Sequence, residues 1–150
     1  MLKSFGPYEV EIMSMPEENE TPEHVFTVAE ANELIPQLRS RFAGIRRAKT
    51  ILVQTSDDIK KASANAHSGG GSQFGSLYIR ALHDVSSNLQ AIHDLGVVVK
   101  DVNAGLCDFP YSHEGRIVYL CWKLGETEIR WWHELSLGYK DRMPLEESAI

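Results

Sequence analysis

Residues 105–145 read GLCDFPYSHEGRIVYLCWKLGETEIRWWHELSLGYKDRMPL and decide the fold of this chain. β-Branched and aromatic residues recur along the stretch, and glycine-containing turns interrupt it, as in strands joined by hairpins. The first turn is His113-Glu114-Gly115, where glycine suits the left-handed position of a three-residue loop. A second turn follows at residues 124–127. We predict antiparallel strands over the short run 97–99 and over residues 106–111, 116–123 and 128–135.

The length of the first turn fixes the pairing of the two strands that it joins. A three-residue turn pairs Ser112 with Arg116, and Cys107 then lies opposite Cys121. Directly opposed cysteines satisfy disulfide geometry poorly, so we expect two buried free thiols with their Cβ atoms about 4–6 Å apart. Two cysteines also cannot form a disulfide framework, and the expected location is the reducing cytoplasm.

The second turn pairs Lys123 with Glu128 and so fixes the third strand. Because side chains alternate between faces, Asp108 and His133 then share a face, two strands apart on a diagonal. Both faces of this sheet are rich in apolar residues, and such a sheet must be covered on both sides. Helices can cover one face, while a second copy of the chain or the N-terminal arm can cover the other.

A long helix precedes the sheet. It begins at the capping box Thr27-Val-Ala-Glu30, in which the threonine hydroxyl and the glutamate carboxylate accept hydrogen bonds from free backbone N–H groups. Apolar residues then follow at a spacing of four and three to about Ala64, as in a coiled coil. Pro36 removes one backbone hydrogen bond and predicts a kink near Asn32.

A second helix carries the same stripe from Tyr78 to Ile92 and ends at Gly96, which tolerates the left-handed cap conformation. The loop Ser68-Gly-Gly-Gly-Ser72 joins the two helices. The fold class that we predict is α+β: a long antiparallel helical hairpin packed on a three- to four-stranded antiparallel β-meander, associating as a homodimer.

Charge divides the chain into an acidic N-terminal arm, residues 1–25, and a single α+β domain, residues 26–150. The arm carries one lysine and six glutamates, whereas the other 125 residues carry 14 basic and 15 acidic side chains. An alternation of apolar and acidic residues around Tyr8 indicates a strand in the arm. The nearly neutral body predicts no nucleic-acid partner, and the chain lacks an apolar run of the roughly 20 residues that cross a membrane.

Asp108 is the most informative candidate for a functional side chain, because it is an acid inside an apolar run. In one interpretation it accepts hydrogen bonds from the backbone or from Arg142 and locks the sheet. In the other, Asp108, Glu126 and His133 line a pocket or hold a metal, since this donor set suits Zn²⁺ or Mn²⁺. The sequence predicts no other cofactor, and it does not identify a small-molecule ligand.

A set of short motifs resembles the uncharacterised prokaryotic family catalogued as domain of unknown function 2203. The motifs are Phe26-Thr-Val-x-Glu-Ala-Asn-x-Leu-Ile-Pro36, Leu95-Gly96, Gly105-Leu-x-Asp-Phe-Pro110, Leu120-Cys-Trp-x-x-Gly-Glu126, Trp132-His133, Gly138 and Arg142-x-Pro144-Leu145. The family name implies no reaction. Six residues that match the family pattern are candidates for a binding site: Asp108, Trp122, Glu126, Trp132, His133 and Arg142.

Two classes of function follow from these patterns. The first is a non-catalytic binding or interaction module that acts as a homodimer, which the helical stripes and the two-faced sheet favour. The second is a metal-dependent or acid–base enzyme that uses Asp108, Glu126 and His133. The convergence of these three side chains on one cleft would distinguish the two.

Overall fold

The computed structural model describes residues 21–64 and 74–150. Their main elements are α1 (Val28–Glu33), α2 (Ile35–Ala64), α3 (Gly75–Asp94), β1 (Val98–Asp101), β2 (Leu106–His113), β3 (Arg116–Lys123), β4 (Trp131–His133) and β5 (Met143–Pro144). The five strands form one antiparallel sheet in sequence order. The predicted α+β class is confirmed, with a helical hairpin packed on the sheet. The strand predicted around Tyr8 and the loop predicted at residues 68–72 lie outside the described residues.

The single kinked helix predicted from the sequence is two helices. Thr27 caps α1, and its hydroxyl oxygen accepts a hydrogen bond from the backbone N–H of Glu30 at 3.1 Å. Leu34 separates α1 from α2. The break falls in the turn where Pro36 has no N–H to offer the carbonyl of Asn32, so proline interrupts the helix instead of only bending it.

The predicted hairpin of α2 and α3 is closely packed in its sheet-proximal half. Gly44 of α2 lies so near α3 that a Cβ atom there would be 2.9 Å from the side-chain amide of Asn88. After the C-terminal end of α3, Gly96 has a φ of +86°, as its predicted role as a helix terminator requires. No helix within residues 21–64 and 74–150 has both the length and the apolar character to cross a membrane.

The predicted register of the β2–β3 hairpin is wrong by one residue. Its turn consists of Glu114 and Gly115, whose φ angles of +50° and +79° indicate a two-residue type I′ turn. The backbone twist of a type I′ turn matches the right-handed twist of the two strands that it joins, and this match favours the two-residue turn. The observed pairs include His113–Arg116, Asp108–Cys121 and Cys107–Trp122.

The shift in register separates the two cysteines. Cys107 pairs with Trp122 and points toward the helices with it. Cys121 is the residue before Trp122 and therefore points away from the helices. The expected cross-strand thiol pair is therefore wrong, although both cysteines are free and buried as predicted. A one-residue change in a turn is enough to move every side chain of a strand to the other face relative to its partner.

The sheet has an inner face against the helices and an outer face away from them. The inner face carries Cys107, Phe109, Val118, Leu120, Trp122 and Trp132, which pack with the buried residues of α1, α2 and α3. The outer face carries Asp108, Tyr119, Cys121, Trp131 and His133. The predicted faces mixed these sets, placing Asp108 beside Leu120 and Trp122, because the register was one residue out.

The last part of the sheet departs most from the sequence prediction. The strand predicted over residues 128–135 is only three residues long, its pairing with β3 is one residue away from the predicted register, and β5 was not predicted. Ile129 instead donates its backbone N–H to the side-chain oxygen of Asn32 at 2.8 Å. Leu145 donates to the carbonyl of Arg130 at 2.8 Å, which ties the end of the chain beside β4. Contacts between distant segments therefore replace part of the ladder that the local pattern predicts.

Candidate functional site

Strands β2, β3 and β4 bring Asp108, Cys121 and His133 together on the outer face. Asp108 pairs directly with Cys121, and His133 pairs with Tyr119, two residues before Cys121 on β3. A carboxylate oxygen, the thiol sulfur and an imidazole nitrogen lie within 4.8 Å of one another. The three residues are 1%, 0% and 1% exposed, respectively. We refer to them as the Asp-Cys-His cluster.

The imidazole of His133 has an acceptor at each ring nitrogen. Nδ1 lies 2.8 Å from the backbone carbonyl of Glu134, and Nε2 lies 3.0 Å from Oδ2 of Asp108. A carbonyl oxygen only accepts, so Nδ1 carries a proton and donates it. Nε2 then either donates a second proton to a carboxylate, making His133 an imidazolium, or accepts one from a protonated Asp108. In both cases one proton joins the two side chains.

The surroundings of His133 favour the imidazolium. Burial lowers the pKa of His133, but the hydrogen bond to Asp108, the hydrogen bond to the carbonyl of Glu134 and the charge of Asp108 raise it by more, so the net shift is upward. Lys100, whose ammonium group lies 5.1 Å from the ring centre of Tyr119, opposes the shift weakly. A buried ion pair of this kind is stable only while both partners are present.

The carboxylate of Asp108 is only half satisfied. Its Oδ2 atom binds His133, whereas Oδ1 is buried and has no hydrogen-bond partner. Buried carboxylate oxygens normally accept at least one hydrogen bond, because removing an acceptor from water without a replacement costs about 1–3 kcal/mol. An orphaned oxygen at this position marks the cluster as more than a packing contact.

Cys121 holds its proton firmly. Burial raises the pKa of its thiol to about 12, the charge of Asp108 adds to the rise, and the nearby Arg142 opposes it. A thiol that stays protonated is a poor nucleophile, because the thiolate is the reactive form. His133 cannot act as its base, since both ring nitrogens are already engaged. The cluster therefore lacks the activated nucleophile of a cysteine hydrolase.

Glu126 lies apart from the cluster, contrary to the predicted Asp108, Glu126 and His133 metal set. Its carboxylate accepts two hydrogen bonds from Arg142 at 3.0 Å and one from the backbone N–H of Lys123 at 2.7 Å. Arg142 is consequently not the partner of Asp108, as one interpretation of the sequence had it. The two predicted acids take different partners because the second turn places Glu126 beside the tail of the chain.

Arg142 packs against aromatic side chains beside the cluster on the outer face. Its guanidinium lies 4.0 Å from the ring centre of Tyr139 and 5.1 Å from that of Trp131. A planar guanidinium stacks well on aromatic rings while its edge donates to Glu126. The segment after β4 thus covers part of the outer face, for which the sequence predicts a second copy or the N-terminal arm as the cover.

The two tryptophans among the predicted site residues belong to the inner face. Trp122 is fully buried, and its indole N–H donates to the carbonyl of Glu126 at 3.0 Å. Trp132 is 8% exposed and stacks with His113 at a ring separation of 4.3 Å. Both anchor strands to the core, so the structure does not bring them to the Asp-Cys-His cluster.

Sequence reasoning did not place Cys121 with Asp108 and His133. It is itself part of the motif Leu120-Cys-Trp-x-x-Gly-Glu126, yet the predicted register directed it toward Cys107. A glycine preceded by one turn residue also fits a two-residue loop. A turn made of Glu114 and Gly115 alone pairs Asp108 with Cys121, which would have predicted the cluster.

Two clefts of the described residues lie away from the cluster. A cleft of about 360 Å³ at the Tyr139 end of the sheet is lined by Leu106, Lys123 and neighbouring residues, and by none of the three cluster residues. The second cleft, about 330 Å³, lies at the end of α3 beside His93. Because the three cluster residues are at most 1% exposed, the cluster suits an ion pair or a small ion more than a substrate.

The family of this chain follows from a comparison with known protein families. A family model described as an uncharacterised conserved protein, DUF2203, matches residues 24–145. The chain belongs to this family, as its motifs indicated. The searches of curated proteins and of solved structures found no match.

Proposed function

We propose that this chain is a non-catalytic interaction module that works as a homodimer, paired through the distal half of its helical hairpin. The observation that supports it is a group of exposed apolar side chains on this half. They are 36–67% exposed and comprise Ile51 and Val53 of α2 and Leu77, Ile79 and Leu82 of α3. We call this group the hairpin patch.

The geometry of the hairpin explains why the patch needs a partner. The buried core residues of α2 run from Ile35 to Ala48, and beyond them only Thr55 is buried. The distal half is therefore two helices thick, and even its inward residues Leu52, Ile59 and Tyr78 are only partly buried. Two helices cannot enclose a core, whereas four can, so pairing two hairpins would bury the inward stripe together with the members of the patch on the contacting side.

The charges on the distal half suit a second copy of the same chain. Asp57 and Asp58 are followed by Lys60 and Lys61 on α2. In a two-fold interface the same surface appears on both sides, so the acidic pair of one hairpin can face the basic pair of the other. A balanced surface of this kind avoids the repulsion that a single-sign patch would create.

The non-catalytic part of the proposal is supported by the closed state of the Asp-Cys-His cluster. Its members are nearly free of solvent contact, and its thiol is held protonated. The free thiols are compatible with a cytoplasmic location. The predicted enzyme site at Asp108, Glu126 and His133 has less support, since Glu126 is engaged by Arg142.

Light scattering at tens of micromolar tests the proposal, and we expect a dimer for the native chain. Leu82→Glu places a charge in the hairpin patch and should raise the dimer dissociation constant about 30-fold or more, as loss of a hot-spot residue does. Leu135→Glu is the matched control, because Leu135 is 46% exposed and Leu82 is 47% exposed. The control should remain dimeric.

Two outcomes would contradict the proposed dimer. One is a native chain that is monomeric at tens of micromolar. The other is equal weakening by Leu82→Glu and Leu135→Glu, which would locate self-association elsewhere.

A further inference from the structure

We propose that Asp108, Cys121 and His133 form a binding site for a zinc ion. The inference does not depend on the proposed self-association, since the cluster lies on the sheet and the hairpin patch lies on the helices. It replaces the donor set predicted from the sequence, with Cys121 taking the place of Glu126.

The donor types match zinc more closely than other divalent ions. Zn²⁺ binds thiolate sulfur, imidazole nitrogen and carboxylate oxygen, whereas Mn²⁺ and Mg²⁺ prefer sites made of oxygen. One carboxylate and one thiolate also balance the two charges of the ion, so the buried site becomes neutral overall. Binding releases the proton of the Cys121 thiol and the proton shared between Asp108 and His133.

The spacing of the donors requires only a small closure. Their atoms lie within 4.8 Å of one another, and Nε2 of His133 is 3.0 Å from Oδ2 of Asp108. Ligands around a tetrahedral zinc ion are roughly 3.5 Å apart, given bond lengths of about 2.0–2.3 Å. The widest donor separation exceeds this value by about an ångström.

Two features of the cluster are already those of a metal site. His133 donates from Nδ1 to the carbonyl of Glu134 at 2.8 Å, the outer contact that orients a histidine whose Nε2 binds a metal. Oδ1 of Asp108 is buried without a partner, and an ion between the strands would satisfy it. The ion pair with His133 involves Oδ2 and leaves Oδ1 for a further partner.

Three protein ligands leave one coordination position, which a water molecule can fill. The three ligands are at most 1% exposed, so this position is shielded from bulk solvent, and Arg142 lies near Cys121. Cys107 takes no part, because it faces the helices on the other side of the sheet. The two cysteines of the chain therefore have different roles, and this difference supplies the control for a test.

Zinc uptake by the full chain under reducing conditions tests the site. We expect one Zn²⁺ per chain by equilibrium dialysis and elemental analysis. Cys121→Ala and His133→Gln should each weaken binding by more than about 100-fold, the upper end of the effect of losing an outer-shell partner. Cys107→Ala removes a buried thiol from the same strand pair without touching the cluster, and it should bind zinc as the native chain does.

Cobalt substitution gives a second measurement that does not depend on the stability of the variants. Co²⁺ bound to the native chain should show a thiolate charge-transfer band, which Cys107→Ala keeps. The proposal is overturned by native chain that takes up no stoichiometric zinc, by cobalt bound without that band, or by equal loss in Cys107→Ala and Cys121→Ala. A monomeric chain that binds zinc would leave this site standing while contradicting the proposed dimer.

Discussion

The two faces of the sheet are built from the same strands but hold together by different physics. The inner face buries Phe109, Leu120 and Trp122 against the helices, where stability comes from removing apolar surface from water. The outer face buries Asp108 and His133, where stability depends on each polar atom finding a partner. The inner face should therefore respond to lost volume, and the outer face to lost pairing.

Truncation of the largest inner residue should have the largest effect. Trp122→Ala removes a fully buried indole and its hydrogen bond to the carbonyl of Glu126, and it should lower the free energy of unfolding by about 3–5 kcal/mol. Trp131→Ala on the outer face should cost clearly less, because Trp131 is only partly buried. Urea unfolding of both variants measures the difference. Equal losses would show that the outer face is packed as tightly as the inner one.

Substitution of Asp108 or His133 on the outer face should lower the free energy of unfolding by less than Trp122→Ala does. The effects of the two substitutions should not add. Asp108→Ala and His133→Ala each strand a buried partner and should lower the free energy of unfolding by about 2–3 kcal/mol. The double variant strands neither, so its loss should fall below the sum of the single losses by at least about 0.5 kcal/mol. Glu134→Gln, which breaks the exposed contact with Arg116, is the control and should leave the melting temperature unchanged. Strict additivity would argue against a coupled pair.

The smallest effect should come from the turn that sets which face each residue joins. Gly115→Ala forces a Cβ atom into a left-handed conformation with a φ of +79° and should cost about 1–2 kcal/mol. Glu114→Gly relieves the same restriction at φ +50° and should cost nothing or stabilise slightly. Thermal melts compare the two. A costly Glu114→Gly would indicate that the Glu114 side chain, which contacts Arg116, contributes more than the turn conformation.

The helices were the easiest part of the fold to predict, because their signals are local. The Thr27 cap and the Gly96 terminator each depend on neighbouring residues, and both are observed. The effect of Pro36 was located correctly, but its size was not. A missing hydrogen bond can bend or break a helix according to what packs around it, which a single sequence does not reveal.

The candidate site was harder to predict, because its members lie on three strands. The sequence marked Asp108 and His133 correctly as residues of one face, since the predicted β2–β3 and β3–β4 registers were each wrong by one residue and two such shifts cancel. It assigned Cys121 to the wrong partner and Glu126 to the wrong group. The error for Cys121 came from one residue of turn length, to which strand pairing is acutely sensitive.

The sequence by itself determined the α+β class, the family, the helical hairpin and the buried acid that marks the outer face. These follow from periodicity, caps and short motifs, which act over a few residues. The tertiary structure decided the register of the sheet, the shortening of β4, the pairing of Glu126 with Arg142 and the entry of Cys121 into the cluster. Those features depend on which of several similar pairings buries the most apolar surface while satisfying the polar atoms, and that choice is made by the whole fold at once.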